Sequence, residues 1–298
     1  MKKGILLLIA VVVFFGGTFL LKMSIHKEPH VQAAPKEVNR IVSLAPSITE
    51  TLYLLGLEKK LVGVTIYCEY PPEAKTIDKI GGYSTPNFER IAVLKPDLII
   101  MVEEHKKLDF NRKFGDLGMA TLFVSAQTIQ DILNSIIVIG KECGAPEKAE
   151  AIVKEMTEKV ESIKALRTKK QPLVLISVGK NMGSTGLDSV FAAGKKTYYN
   201  DLLSIAGARN ACPETPQKYV NLSGEGILLS NPDIIIDIVP EADEKKVEYV
   251  KKTWKAIPGL SARITVFAGE YASRPGPSFV RVLEDISREI EIWRKSIR

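Results

Sequence analysis

The sequence predicts an α/β protein of two similar lobes joined by one long rigid helix, with a ligand cleft between the lobes. Three observations carry that prediction. Short apolar strands alternate with helical segments in both halves of the 298 residues. At the midpoint, Glu147 to Lys170 contains no Gly or Pro, and Ala149, Ile152, Val153, Met156, Val160, Ile163 and Leu166 recur there at helical spacing. Finally, Lys95-Pro96-Asp97-Leu98-Ile99-Ile100 in the first half is echoed by Asn231-Pro232-Asp233-Ile234-Ile235-Ile236 in the second.

The chain opens with Lys2 and Lys3 ahead of an apolar run from Gly4 to Leu21, the pattern of an export signal, with residues 4–21 alternatively kept as a membrane tether. Cleavage after Ala33 fits the small-residue rule. No Cys follows the run, which argues against a lipid anchor. The first 33 residues carry Lys2, Lys3, Lys22 and Lys27 against Glu28, so only +3 of the formal +6 remains on the rest. With no stripe of Arg and Lys interleaved with aromatics, nucleic-acid binding is excluded as a reading.

Arg40 to Leu44 reads as a strand running into Ala45-Pro46-Ser47, and Thr49 and Glu50 open a helix with apolar residues Leu52, Leu55 and Leu57. Leu61 to Thr65 is the next strand and ends in Tyr67-Cys68-Glu69-Tyr70-Pro71-Pro72. A helix from Phe88 to Leu94 leads through Lys95-Pro96-Asp97 into strand Leu98 to Val102. A further helix ends at Gly118, and strand Thr121 to Val124 follows. Pro146 suits the first position of the long helix and Pro172 stops it, so the expected divisions are 1–33, 34–145 for the first lobe, 146–171 for the helix and 172–298 for the second lobe. The echo continues downstream, where Phe114, Gly118 and strand 121–124 parallel Trp254, Gly259 and strand 264–267.

Catalytic arrangements fail on counts. His26, His30 and His105 are the three histidines, two of them at or near the leader, so a three-His metal site cannot be built. Met182-Gly183-Ser184-Thr185-Gly186 is not a nucleophile elbow, and Gly194-Lys195-Lys196-Thr197 lacks the first glycine of a phosphate loop because Ser189 stands there. No spacing singles out a pair of carboxylates. Cys68, Cys143 and Cys212 are too few and too scattered for a disulfide framework and read as buried apolar residues.

The strand ends offer aromatic and polar surface instead. Tyr67, Tyr83 and Arg274 read as ligand-facing, able to stack on a planar or amphipathic ligand and to meet an anionic group. Tyr198 and Tyr199 read as helix core.

Arg40 to Glu50, Tyr67 to Ala74, Leu94 to Ile99 and Arg274-Pro275-Gly276-Pro277 together resemble the helical-backbone periplasmic binding proteins of ABC importers. The likeness runs over roughly residues 38–295 and is strongest to the cobalamin-binding subfamily, with ferric-siderophore and haem binders as relatives. It implies two Rossmann-like lobes and an exported, monomeric protein without a cofactor of its own. Such a protein captures a corrinoid or similar metal chelate and delivers it to a membrane permease and its ATPase, performing no chemistry. The resemblance implies ligand contacts from Pro46, Ser47, Tyr67, Tyr83, Phe191, Tyr271 and Arg274, and permease docking through one acid on the rim of each lobe, Glu50 and Glu225. A same-fold sensor or scaffold tethered to the membrane is the rival from a different class. The long helix implies small lobe motions and a cleft that is largely formed before the ligand arrives.

Overall fold

The computed structural model describes residues 37–183 and 186–297. The leader and its proposed cleavage site lie outside them.

The first sheet is built from β1 (Ile41–Ser43), β2 (Leu61–Val64), β3 (Leu98–Val102) and β4 (Thr121–Val124), all parallel, in the order β2-β1-β3-β4. Its crossovers include α1 (Pro46–Leu54), α2 (Phe88–Leu94) and α3 (Phe110–Asp116). β3 shows why the strands read as unbroken apolar runs: Leu98, Ile100 and Val102 enter one core while Ile99 and Met101 enter another, so both faces are covered. α4 (Ile129–Cys143) then packs on α5 (Pro146–Ala165), the interlobe helix. Gly140 makes that approach possible, since a Cβ there would lie 2.4 Å from the Ala149 methyl.

α5 is 20 residues long, about 30 Å, and stops at Ala165 short of the expected 171. The cause is tertiary: Arg167 turns away to donate from its guanidinium to the carbonyls of Ser204 and Ile205. Those carbonyls lie in the last turn of α6 (Tyr198–Ala206), where the Ser204 carbonyl also accepts the Gly207 N–H at 3.2 Å.

The second lobe departs from a purely parallel arrangement. β5 (Leu173–Gly183) pairs in parallel with β7 (Arg209–Asn210) and with β9 (Ile234–Ile238), and β9 in parallel with β10 (Arg263–Phe267). β6 (Gly186–Ala193) and β8 (Tyr219–Ser223) are antiparallel additions, which gives the order β10-β9-β5-β6-β8. α7 (Gly224–Ser230), α8 (Glu244–Lys255) and the terminal α9 (Phe279–Ser296) complete the lobe. The inner faces of both sheets share one core, to which α5 contributes Ala149 and Ile163 and α9 contributes Phe279, Val282, Leu283 and Ile286. The outer faces have separate cores, centred on Phe114 in the first lobe and Trp254 in the second. None of the described helices is long and apolar enough to cross a membrane.

The echoed Pro-Asp segments do the same structural work twice. The Asp97 carboxylate accepts the backbone N–H groups of Asn39 and Arg40 at 2.9 Å each, and Asp233 accepts that of Leu173 at 2.7 Å. Each aspartate thus fastens the chain entering its lobe's central strand, β1 or β5.

Candidate functional site

A cavity of about 370 Å³ lies between the lobes, lined by Pro46, Tyr67 and Glu69 from the first and by Glu241, Glu270 and Arg274 from the second. Every one of these residues follows the C-terminal end of a parallel strand, where open α/β sheets place their ligands. Tyr67 is 56% exposed and offers its ring to the opening. Arg274 lies across from it and donates to the Glu270 carboxylate at 2.7 Å. Arg274 Nε and Nη2 are buried without a hydrogen-bond partner. The backbone around Arg274 is fixed from below, because Tyr199 OH donates to the Ala272 carbonyl at 2.7 Å and Tyr198 OH to the Arg274 carbonyl at 3.2 Å. Tyr198 and Tyr199 are buried, so they act from the core as read from the sequence.

Glu69, Glu241 and Glu270 were not anticipated. Three carboxylates against one guanidinium make the cavity acidic, and Arg274 is already engaged by one of them. The signal that could have found them is position alone, since Glu241 and Glu270 lie three residues past the ends of β9 and β10 and Glu69 five past the end of β2.

The lobes meet tightly beside this cavity. Glu50, on α1, is buried, and its carboxylate accepts the hydroxyl of Ser278 from the other lobe. Gly276 keeps the backbone close, since a Cβ there would lie 3.1 Å from Glu50 Oε2. Burial pushes the Glu50 carboxyl above its ordinary 4.5, against the opposing pull of the Ser278 hydrogen bond and the Arg274 charge. Ser47 and Pro277 line a gap of about 10 Å³ in the same seam.

One further feature is duplicated. α2 and α7 each follow a side-chain cap, Asn87 accepting from Arg90 N and Ser223 from Gly226 N, and each ends in a left-handed residue, Lys95 or Asn231. Each then runs through Pro-Asp into the strand beside the central one. A family model described as "Periplasmic binding protein" matches residues 41–247 of this chain. The chain belongs to the periplasmic binding protein family.

This periplasmic binding protein is 31% identical over 86% of its length to an uncharacterised ABC transporter substrate-binding lipoprotein, YvrC of Bacillus subtilis, and covers 81% of that protein. It is 27% identical to the vitamin B12-binding protein of Pectobacterium carotovorum, over 84% of this chain and 88% of the other. Its fold superposes on the periplasmic vitamin B12-binding protein BtuF of Vibrio cholerae with a TM-score of 0.72, at 24% identity, over 88% of this chain and all of that one.

In this periplasmic binding protein the predicted ligand residues separate. Pro46, Tyr67 and Arg274 meet at the cavity. Tyr83 stands one layer behind: it follows Gly82, where a Cβ would lie 3.9 Å from the Tyr67 ring, and its own ring packs on His105 at 4.2 Å. Burial and the nearby Glu104 push the Tyr83 phenol up to about 12. Ser47 belongs to the seam. Phe191 lies within β6 opposite Asn221 of β8, not in a loop, and does not line the cavity. Tyr271 is turned to α9, donating to Asp285 at 2.8 Å with Arg281 stacked over its ring at 3.9 Å.

Glu50 also needs correction. A buried carboxylate held by Ser278 cannot serve as a rim acid, because reaching a partner would mean breaking that bond and opening the seam. The duplication identifies the residue that matches Glu225. Glu89 and Glu225 occupy the same second position of α2 and α7, and both are exposed. Cys68 is buried and free, with its sulfur 3.2 Å from both Thr49 Oγ1 and Thr65 Oγ1, and Cys143 and Cys212 are likewise buried and free. Trp254 is core, its indole N–H donating to Asp237 at 2.7 Å. Among the described residues no three His, Cys, Asp or Glu side chains are placed to hold a metal ion.

Proposed function

We propose that this chain is the extracytoplasmic substrate-binding component of an ABC importer, which takes up cobalamin or another corrinoid between its lobes and passes it unchanged to a permease and its ATPase. The supporting observation is the interlobe cavity with Tyr67 and Arg274 presented from opposite lobes over a floor rich in carboxylates. A corrinoid edge can stack on the phenol ring while its amide side chains exchange hydrogen bonds with Glu69, Glu241 and Arg274 at the cavity wall. The cavity's charge weighs against haem, since its propionates would enter a space where carboxylates outnumber the one guanidinium. Glu89 and Glu225, one per lobe, suit docking on basic groups of the permease, which orients the protein and steers its approach. The basic and apolar leader supports export, with residues 4–21 either removed or kept as a tether.

Titration of the purified protein with cyanocobalamin and cobinamide, followed by Tyr and Trp fluorescence and the visible corrin spectrum, tests the reading. Saturable one-to-one binding at micromolar or tighter, about −8 kcal/mol or better, is expected. Failure with both corrinoids, alongside saturable binding of haem or a ferric siderophore, would overturn the corrinoid assignment and keep the importer.

A further inference from the structure

The two most exposed large apolar side chains among the described residues are Leu229, 86% exposed, and Val93, 78% exposed. Single exposed apolar residues are ordinary on protein surfaces. These two, however, occupy the same position of the duplicated helices: Val93 stands four residues after Glu89 on α2, and Leu229 four residues after Glu225 on α7. A spacing of four puts acid and apolar residue side by side on one helix face. The opposite face of each helix is conventional, with Ile91 and Ile227 completely buried in their lobes. Each short helix therefore buries one aliphatic residue and displays another where a solvent face calls for a polar one.

We infer that Val93 and Leu229 are paired apolar anchors of the docking surface, each seated in a hydrophobic socket beside the basic group that receives the neighbouring acid. The duplication implies a partner with two equivalent sockets, as two copies of one transmembrane subunit would provide. The inference rests on the importer reading above. The acids determine the class of partner, because an anionic lipid surface would repel Glu89 and Glu225, whereas a basic protein surface attracts them. The division of labour follows from the chemistry. Exposed carboxylates govern approach and its salt dependence, while apolar side chains that lose their contact with water govern how slowly the complex separates.

The test uses the full chain against the cognate permease–ATPase complex in nanodiscs, with Val93→Ser and Leu229→Ser alone and together, and Glu89→Lys with Glu225→Lys in parallel. Both apolar positions are exposed, so the variants keep the fold, and cyanocobalamin titration checks this. Each apolar change is expected to weaken docking about tenfold, mainly through faster dissociation, and the pair roughly a hundredfold. Unchanged docking in the serine variants, with docking lost in the lysine variants, would overturn the apolar anchors and leave the importer reading in place. Unchanged docking in all four would overturn both. Vesicles of phosphatidylethanolamine and phosphatidylglycerol serve as the lipid arm: if the serine variants lose vesicle binding but keep their affinity for the complex, the anchors contact membrane and the inference fails.

Discussion

Replacing His105 by Leu gives a pH-dependent change whose size follows from where the imidazole lies. The ring is completely buried, packed between Tyr83 at 4.2 Å and Phe110 at 5.4 Å, and neither nitrogen has a hydrogen-bond partner. Burial penalises the charged form and, against the weaker opposing pull of the Tyr83 backbone, lowers its pKa from 6.5 to about 4. In the unfolded chain the same imidazole charges near its ordinary value. A depressed value in the folded state means that the neutral ring's contribution is complete above pH 6.5 and is lost as pH falls toward 4. At 1.36 kcal/mol per pH unit that window is worth roughly 3 kcal/mol. Urea unfolding of wild type and His105→Leu across pH 7 to 4 is the assay, and the variant is expected to gain about 3 kcal/mol relative to wild type over that range. A difference that stays constant with pH would refute the reasoning, because it would mean that the imidazole charges in the native state at little cost. Since Tyr83 rests on His105 and backs Tyr67, acidification of the wild type is also expected to loosen the first-lobe wall of the cavity before the second.

Two other expectations follow from the same geometry. Glu50 has a raised folded-state pKa, so its favourable contribution is fully present below 4.5 and is lost as pH rises through the folded value. Glu50→Gln keeps an acceptor for Ser278 and removes that loss, so its thermal midpoint relative to wild type is expected to rise with pH, whereas Glu50→Ala strands the Ser278 hydroxyl at a cost of about 1–3 kcal/mol. In the cavity, Glu69→Gln with Glu241→Gln removes two negative charges, and haem affinity is expected to rise about twofold to fivefold per charge while cyanocobalamin affinity changes little, as checked by absorbance titration.

The architecture was legible because its signals are local and strong. Unbroken apolar strands buried on both faces, the Gly- and Pro-free run of α5 and the two Pro-Asp junctions each correspond to one physical need: covering a sheet, spanning the lobes, fastening a central strand. Elements that depend on pairing or packing were less visible. β8 alternates, with Val220 and Leu222 buried between exposed Tyr219, Asn221 and Ser223, but five residues of alternation are too short a signal to show that the strand runs antiparallel to β6. α4 was passed over although Thr128 and Asp131 form a reciprocal capping box at its start. α5 ends early because of Arg167, whose partners lie on α6, distant in sequence.

The site divides in the same way. Tyr67 and Arg274 could be read because each follows a strand and precedes a rigid turn, and both reach the cavity. Phe191 and Tyr271 carry the same residue-type signal, but strand register and the hydrogen bond from the Tyr271 hydroxyl to the Asp285 carboxylate decide where they point, and neither is written locally. Glu50 failed for a related reason: a helix-opening acid looks alike in sequence whether it meets solvent or the other lobe, and only Gly276 and Ser278 make it the latter. The duplication was the better guide to Glu89, because an equivalence between lobes constrains position in three dimensions whereas one motif does not.

The contacts between lobes also bear on how a bound ligand is held and released. α5 joins the lobes and shares their common core with α9 of the second lobe, Lys159 pairs with Glu284 at 2.6 Å between the two helices, Arg167 caps α6, and Ser278 donates to Glu50 beside the cavity. A hinge needs a few residues free to absorb a large backbone rotation, and a helix fixed at both ends and along its length provides none. The cavity is therefore held near its bound shape, and binding has little ordering to do. Release then requires force from outside, applied to points on different lobes. Glu89 with Val93 and Glu225 with Leu229 are such points, one pair on each lobe. A partner that grips both and changes the distance between its own two sockets would strain the seam at its buried carboxylate, where the side-chain and backbone hydrogen bonds of Ser278 and the Arg274 charge offset only part of the cost of keeping Glu50 out of water.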